Sequence, residues 1–298
     1  MVKIKNDLLE SIQEFTLLDD PFMTKVFEDD IERTQFLLRI ILKNDKIKVK
    51  KASTQKRIKN LQGRDLQLDI LAEKANGQKF NVEVQNADAG AIPERARYHM
   101  SLLDAKSLPK SRYFDKLPEN YVIFITKNDV LKDNLPIYHI HRTVDENGKS
   151  FNDGSHIIYV NSQIQDETPL GRLMHDFHCQ NPDDMHYKEL ADKARYFKQD
   201  EEGIEKMGDV MEKLMAKREK EAVERTKKEM GDVMEKLMAK REKEAVEKAV
   251  KQVKKAEKAK TIEFAQSLLA ENETVERTAR LTKLSLKEVR KIAEKMSA

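Results

Sequence analysis

The stretch LQLDILAEKANGQKFNVEVQ (residues 66–85) has the pattern of a β-hairpin. Two runs in which apolar and polar residues alternate flank an Asn-Gly pair, which is typical of hairpin turns. Asp69 lies in the first run. Glu83 and Gln85 lie in the second run, two positions apart and therefore on one face of the predicted strand. The length of the turn decides whether Asp69 lies on that face as well.

Two turn lengths fit this sequence, and they place Asp69 differently. A two-residue loop would set Asp69 opposite Val84, whereas a three-residue loop over residues 75–77 would set it opposite Glu83. The longer loop needs a residue in the left-handed backbone region at its end, and Gly77 adopts that region without strain. An odd loop, or a bulge of one residue, is therefore required if the two carboxylates are to face each other.

Two carboxylates that are directly opposed across a hairpin repel each other, and burial strengthens the repulsion. A bound divalent cation reverses the sign, because Mg²⁺ takes one or two carboxylates together with water and phosphate oxygens. We therefore predict a metal site with Asp69, Glu83 and the backbone carbonyl of Val84 as ligands. The amide of Gln85 does not titrate, so we expect it to orient the attacking water or a phosphate. Asp20 is either the N-cap of a helix or a third acid near the metal.

Helices and strands alternate around the predicted hairpin. Apolar periodicity and capping residues predict helices over residues 20–43, 91–106 and 167–179, the first with an interruption at residues 28–32. Strands are predicted over residues 47–55, 65–73, 79–85, 121–127 and 156–160. This order predicts an α/β fold with a mixed central sheet of at least four strands, helices on both sides of it, and a long charged helical tail.

A basic segment precedes the first acidic strand. Residues 44–64 contain eight Lys or Arg residues and one Asp. Two interpretations fit this segment: a rim that binds nucleic-acid phosphates, or a solvated edge strand that lysines protect from pairing. The candidate DNA contacts are Lys50, Lys51, Lys56, Arg57 and Arg64 in this segment, and Arg95, Arg97 and Tyr98 on the helix that follows the hairpin.

The composition points to a compact part and a solvated part. Charged residues make up 37% of the 298 residues, well above the usual quarter, and they are dense after residue 199. The formal net charge of +3 is too small to identify a partner. The single cysteine, the lack of a signal-peptide pattern and the lack of an apolar run of membrane-spanning length favour a cytoplasmic protein without a membrane partner.

Four segments are predicted along the chain: an N-terminal arm (1–19), the α/β domain (20–198), a charged helical segment (199–260) and a helical hairpin (261–298). The sequence MGDVMEKLMAKREKEAVE occurs at residues 207–224 and again at residues 230–247. In one continuous helix this shift rotates the pattern by about 140°, so one flat partner cannot cover both copies. We interpret the charged segment as a long solvated helix or a weak coiled coil, through which the chain self-associates.

The last segment has two interpretations. ETVERTARLTKLSLKEVRKIAEK (residues 273–295) has the pattern of a helical hairpin and resembles a DNA-reading helix-turn-helix. Ser285 is a predicted N-cap with Glu288 as its capping-box partner. Lys283 stands where the turn usually has glycine, which favours the plain hairpin.

Other kinds of site receive little support. His175, His178, Cys179 and His186 are candidate zinc ligands, but their spacing matches no common zinc site, and histidines without metal are favoured. Neither glycine-rich phosphate-binding pattern occurs in the chain, so nucleotide binding has no support.

The order of the acids resembles the core of PD-(D/E)XK nucleases, in which one strand carries an acid and the next carries Glu-x-Lys or Glu-x-Gln. Longer stretches, among them DDPFMTKVFED, LQGRDLQLDILA, FNVEVQ, RARYHMSLLDA and PENYVIFIT, are similar to the recombination-promoting nuclease / putative transposase family of bacteria. The resemblance covers residues 17–200. It implies a restriction-endonuclease-like core and a Mg²⁺- or Mn²⁺-dependent DNA endonuclease, with Asp69, Glu83 and Gln85 in the catalytic positions.

Gln85 departs from the commonest pattern of that superfamily, since many of its nucleases have lysine there. The resemblance therefore leaves an alternative open. The chain would then be a catalytically lapsed DNA-binding or protein-interaction protein that assembles through its helical tail.

Overall fold

One mixed β-sheet organises the first of two compact units, which ends at Ala216. The computed structural model describes residues 9–60 and 63–297, and within them six strands form this sheet. The strands are β1 (Lys51–Ile58), β2 (Leu66–Glu73), β3 (Lys79–Gln85), β4 (Asn120–Thr126), β5 (Ile137–Ile140) and β6 (Ser155–Asn161). They pair in the order β1-β2-β3-β4-β6-β5. β3, β4 and β6 are parallel to one another, whereas β1, β2 and β5 are antiparallel to their neighbours.

Eight α-helices with both bounds in the described stretches accompany the strands. They are α1 (Asp20–Phe27), α2 (Ile31–Leu42), α3 (Pro93–Ser107), α4 (Pro169–His178), α5 (Lys188–Gln199), α6 (Glu201–Ala270), α7 (Val275–Thr282) and α8 (Leu286–Ser297). None of the helices in the described stretches is both long enough and apolar enough to cross a lipid bilayer.

Apolar cores cover both faces of the sheet. Alternate residues of each strand point to opposite faces, so one strand can contribute to both cores. The larger apolar core includes Val82 and Ile123 on one face, with side chains of α1, α2, α4 and α5 packed against them. A second cluster includes Phe124 on the other face and Met100 of α3. The predicted α/β class, with a mixed sheet between helices, is confirmed.

The structure corrects several predicted elements. The interruption predicted at residues 28–32 is confirmed and divides the segment into α1 and α2, because Asp29 adopts a left-handed backbone and the Asp30 carboxylate caps α2 through the N–H of Arg33 at 2.9 Å. The first strand begins at Lys51, and the buried Ile47 precedes it. Neither β5 nor α5 was among the predicted elements.

Residues 217–298 form a second compact unit. Helix α6 continues to Ala270, so it passes the position where the hairpin was predicted to begin, and the hairpin itself consists of α7 and α8. The predicted capping box is confirmed: the N–H of Glu288 donates to Ser285 Oγ at 3.3 Å, and the N–H of Ser285 donates to Glu288 Oε2 at 3.2 Å. Lys283 takes the left-handed turn conformation, with φ of 57°, where glycine is usual.

The two copies of the repeat lie in different environments. Met207 in the first copy is fully buried in the larger core, whereas its counterpart Met230 is 66% exposed. Met234 and Leu237 of the second copy are also exposed. Identical sequence therefore serves a packed role at one position and a solvent-facing role at the other.

Candidate active site

The register of the β2–β3 hairpin brings Asp69 and Glu83 together. Ile70 pairs with Val82, and the N–H of Lys74 donates to the carbonyl of Gln78 at 2.9 Å. This is the register of the three-residue loop over residues 75–77, in which Gly77 has a φ of +86°. Extended by one residue, the same register sets Asp69 opposite Glu83. Of the two turn lengths that fit the sequence, the structure has the three-residue loop that the site hypothesis requires.

The regular strand pairing stops where the two acids begin. Beyond the pair of Ile70 and Val82, backbone donors turn to side chains instead of carbonyls. The N–H of Val84 donates to Asp69 Oδ2 at 2.9 Å, and the N–H of Asp69 donates to Glu83 Oε1 at 3.3 Å. Each strand therefore positions the carboxylate of the other, and both carboxylates are fixed at one point of the sheet.

Burial makes these two negative charges costly. The Glu83 side chain is fully buried, and burial raises its pKa, with the charge of Asp69 raising it further. Burial also raises the pKa of Asp69; the hydrogen bond from Val84 opposes this shift, and the charge of Asp20 adds to it. The doubly charged form of the pair is thus unfavourable in the metal-free site, and either a proton or a bound cation would relieve the repulsion.

Arg95 of α3 is the cation that the chain itself places at this point. Its Nη2 donates to Glu83 Oε2 at 3.2 Å, and its Nη1 donates to Gln85 Oε1 at 3.3 Å. A side chain at Gly90 would collide with the tip of Gln85 and would approach Arg95 Nη1. The absence of a side chain at Gly90 therefore leaves room for the contact between Gln85 and Arg95.

His99 and Asn81 lie behind Glu83, and neither was among the site residues predicted from the sequence. Both are fully buried. His99 Nδ1 lies 3.6 Å from Glu83 Oε1 and 3.0 Å from Asn81 Nδ2, and its Nε2 lies 3.2 Å from Arg95 Nε. Burial, with the charge of Arg95, lowers the pKa of His99 to about 4, so the ring is neutral at physiological pH. The available signal was spacing: His99 follows Arg95 by one helical turn, and Asn81 shares a strand face with Glu83.

Asp20 does not act as an N-cap, so that interpretation was wrong. Asp19 is the residue before the helix, and Asp20 is the first residue of α1. Asp20 Oδ1 accepts hydrogen bonds from Gln55 Nε2 at 2.6 Å and from Thr24 Oγ1 at 3.2 Å. The charge of Asp20 raises the pKa of Asp69, so Asp20 lies near enough to interact electrostatically with that member of the acid pair.

Gln55, which holds Asp20, has an unusual backbone for a strand residue. Thr54 and Lys56 pair with Ile70 and Leu68, but Gln55 between them has a φ of 52° and no partner in the β1–β2 register. A left-handed residue without glycine's freedom is strained and is common at functional sites. The interruption lies opposite Asp69, so the edge strand is distorted next to the acid pair.

The remaining candidate DNA contacts lie on the surface near the sheet edge or on α3. Strand β1 is an edge of the sheet, so the sheet order by itself favours neither interpretation of the basic segment. Arg57 is paired with Asp65 at 2.7 Å. The hydroxyl of Tyr98 donates to the carbonyl of Arg64 at 2.6 Å, so it ties α3 to the loop before β2. The exposed residues are Lys50, Lys51, Lys56, Arg57, Arg64 and Arg97.

Two of the four candidate zinc ligands, His175 and Cys179, lie together, and Asp176 joins them. His175, Asp176 and Cys179 offer ligand atoms within 4.8 Å of one another. The Asp176 carboxylate, however, accepts hydrogen bonds from the backbone N–H groups of His186 and Tyr187 at 2.7 and 2.8 Å. Both of its oxygens thus hold the backbone of the segment before α5. His178 contacts Ser162 Oγ instead, at 2.9 Å from its Nε2.

The donor set of the acid pair fits a hard divalent cation. Asp69 and Glu83 offer carboxylate oxygens, which Mg²⁺ and Mn²⁺ prefer over nitrogen or sulfur. The N–H of Val84 points to Asp69, and the carbonyl of a strand residue points to the same side as its own N–H. The Val84 carbonyl is therefore directed toward the strand that carries Asp69.

Comparison with protein families agrees with this geometry. The family described as PD-(D/E)XK nuclease family transposase matches residues 28–240, which include the hairpin and α3. The chain belongs to this family. The mixed sheet between helices is the restriction-endonuclease-like core of a PD-(D/E)XK nuclease family transposase, and the family indicates a nuclease or transposase type of function. Comparisons with curated proteins and with solved structures gave no significant match.

Proposed function

We propose that this PD-(D/E)XK nuclease family transposase is a metal-dependent DNA endonuclease. The observation that carries the proposal is the reciprocal bonding of the acid pair, in which the backbone of each hairpin strand holds the carboxylate of the other. A fold rarely brings two carboxylates together in a buried place unless a cation compensates them. Membership of a nuclease family of transposases supports a DNA substrate and a recombination or mobile-element setting.

Each residue of the site has a proposed role. Asp69, Glu83 and the Val84 carbonyl hold Mg²⁺ or Mn²⁺, and Asp20 acts as a third acid beside them. A divalent ion bound there polarises the phosphodiester and lowers the pKa of a coordinated water. Gln85 orients the attacking water or a phosphate oxygen. The phosphate backbone is held by basic and aromatic residues: Lys50, Lys51, Lys56, Arg57, Arg64, Arg95, Arg97 and Tyr98.

The lysine that many of these nucleases carry is replaced by Gln85, and Arg95 compensates for the missing charge. Its guanidinium bonds to the Gln85 amide, so a positive group lies next to that position although it comes from α3. A guanidinium can bind a phosphate through two parallel hydrogen bonds.

The proposal is tested by nicking of supercoiled plasmid DNA in Mg²⁺ or Mn²⁺. We expect Asp69→Asn to reduce nicking by at least about 100-fold, because it removes a metal ligand while it keeps the shape of the side chain. Glu73→Gln is the matched control, since it removes one carboxylate from the same face of β2 and should nick like the wild type. If the wild-type protein fails to cut DNA with every divalent ion that is tried, the nuclease assignment is refuted.

A non-catalytic assembly protein is the second candidate, and one observation favours it. The second repeat copy exposes Met230, Val233, Met234 and Leu237, which recur at the spacing of one helix face. Such a face would allow self-association of the tail, as in a coiled coil. Sedimentation of the full chain checks this: a double substitution of Met234 and Leu237 by Lys should yield monomers if the face is the interface. Self-association without any nicking would establish this candidate over the nuclease.

A further inference from the structure

Arg95 bonds to three groups of the site at once, and each of the contacts is long. Its Nη2, Nη1 and Nε lie 3.2, 3.3 and 3.2 Å from Glu83, Gln85 and His99. Charge-assisted hydrogen bonds of guanidinium groups are usually near 2.7 to 2.9 Å, so none of these contacts is at its optimum. The Arg95 side chain is 36% exposed, whereas Glu83 is fully buried. Arg95 therefore lies between Glu83 and solvent, in a position that it can leave.

His99 offers Arg95 an acceptor nitrogen that a second donor also approaches. A neutral imidazole has one acceptor nitrogen, yet both ring nitrogens of His99 face donors: the Nε–H of Arg95 and the amide Nδ2 of Asn81, at 3.0 Å from Nδ1. The amide of Asn81 also hydrogen-bonds to Glu83, so Asn81 keeps a partner whichever tautomer His99 adopts. Arg95 and Asn81 therefore share the one acceptor nitrogen of His99, which makes His99 a weaker partner for Arg95 than an unshared acceptor would be.

The same oxygen of Glu83 that Arg95 holds is needed by a metal ion. Glu83 Oε1 already accepts the N–H of Asp69, so Oε2 is the oxygen more readily given to a ligand. Arg95 and a divalent cation would then compete for it. Two positive groups at one carboxylate oxygen repel each other strongly in a buried place.

We propose that Arg95 is an exchangeable counter-ion: it neutralises Glu83 in the metal-free site and is displaced to the DNA phosphate when a divalent cation binds Glu83. This inference rests on the proposed function, since it assigns the metal to Glu83 and the substrate to DNA. The exchange leaves Glu83 with a positively charged partner in both states. It also makes metal binding and phosphate binding mutually favourable. The metal releases Arg95 from Glu83 for the phosphate, and the phosphate draws Arg95 away from the carboxylate that the metal binds.

The first test measures Mn²⁺ binding to the full chain without DNA, by isothermal titration calorimetry. Arg95→Met keeps the apolar stem and removes the competing charge, so we expect it to bind Mn²⁺ about tenfold more tightly than the wild type. Lys106→Ala is the control, because it removes one charge from an exposed position of the same helix and should bind like the wild type. Wild-type or weaker affinity in folded Arg95→Met overturns the exchange.

Arg95→Lys covers the case in which Arg95→Met does not fold. A single ammonium group keeps the charge but cannot hold three acceptors, so we expect an affinity for Mn²⁺ about two- to threefold above that of the wild type. An affinity equal to that of the wild type would count against the exchange as well.

The second test separates an exchangeable phosphate contact from a permanent one. Binding of a short DNA duplex is measured by fluorescence anisotropy in Ca²⁺, which is expected to occupy the site without supporting cleavage, and in EDTA at matched ionic strength. We expect Arg95→Met to weaken DNA binding about tenfold in Ca²⁺ and less than about twofold in EDTA. Equal losses in both buffers, or no loss in either, would overturn the exchange.

Failure of the inference and failure of the proposed function give different results. If the wild type binds no Mn²⁺ and matches Glu83→Gln, both are refuted. If the wild type binds Mn²⁺ and Glu83→Gln does not, while Arg95→Met has wild-type affinity, only the exchange is refuted.

Discussion

Glu83 is fully buried, and its two oxygens face the N–H of Asp69, the guanidinium of Arg95 and the imidazole of His99. The donors hold the carboxylate in place, although burial and Asp69 raise its pKa. A cation that binds there meets a ligand that is already ordered and already removed from bulk water. At the scale of the residue, the proposed metal would therefore bind a carboxylate that the fold has already ordered and desolvated.

Gly90 gives a prediction at the same scale. Gly90→Ala should push the Gln85 side chain away from Arg95, because the new methyl group would occupy the place of Gln85 Oε1. We expect plasmid nicking to fall about tenfold, with a stability change below about 1 kcal/mol, since only the flexible end of a side chain must move. Nicking rates and thermal melts check this.

Gly231→Ala is the matched control for that substitution. Gly231 lies within α6 and has no atom within 4 Å of an added methyl group. Alanine should therefore stabilise the helix by about 0.5 to 1 kcal/mol without an effect on nicking. Equal nicking by Gly90→Ala and the wild type would show that the position of Gln85 does not matter.

At the scale of the element, the three-residue turn determines which face of the hairpin carries Asp69. A shift of one residue would move every side chain of a strand to the opposite face. Gly77, at a φ of +86°, lies at the end of this turn. The carboxylate pair thus depends on a turn several residues away from it.

Gly77→Ala should therefore destabilise the protein by about 1 kcal/mol, because a Cβ is unfavourable at this φ. Gly77→Asn should cost less, since asparagine tolerates the left-handed region better than alanine does. Urea denaturation of the three proteins measures both differences. Equal stability of Gly77→Ala and the wild type would mean that this φ is not needed in the turn.

The sequence predicted the hairpin well because its signals are local. Strand β3 begins and ends where it was predicted, at Lys79 and Gln85, and the parity of the loop determines that Asp69 meets Glu83. Strand β5 escaped prediction because it has four residues and lacks regular alternation. The left-handed Gln55 could not be foreseen, since its conformation depends on contacts with α1, and His99 reaches Glu83 only through the connection from β3 to α3.

At the scale of the whole molecule, the buried acid pair should make stability depend on pH and metal together. Raised carboxyl pKa values mean that the folded state keeps protons which the unfolded state has released. Their stabilising effect is complete below the ordinary carboxyl values of about 4 and is lost as the pH rises through the raised values. A divalent ion binds only the deprotonated pair, so its stabilising effect grows over the same range.

Thermal melts from about pH 5 to about pH 8, with and without Mg²⁺, check this coupling. We expect the difference in Tm that Mg²⁺ produces to increase with pH, by on the order of 3 °C or more. Glu83→Gln should flatten the dependence, because the amide does not titrate. A wild-type profile in that variant would assign the pH dependence to other groups.

Cys179 offers a practical use outside the chemistry of the site. It is the only cysteine of the chain and is buried, and burial together with Asp176 raises the pKa of its thiol to about 11. The thiolate is the reactive form, so this sulfur should resist maleimide reagents near neutral pH. A cysteine introduced at a solvent-facing position would then be the one thiol that takes a fluorophore or spin label, with no need to replace the native residue first.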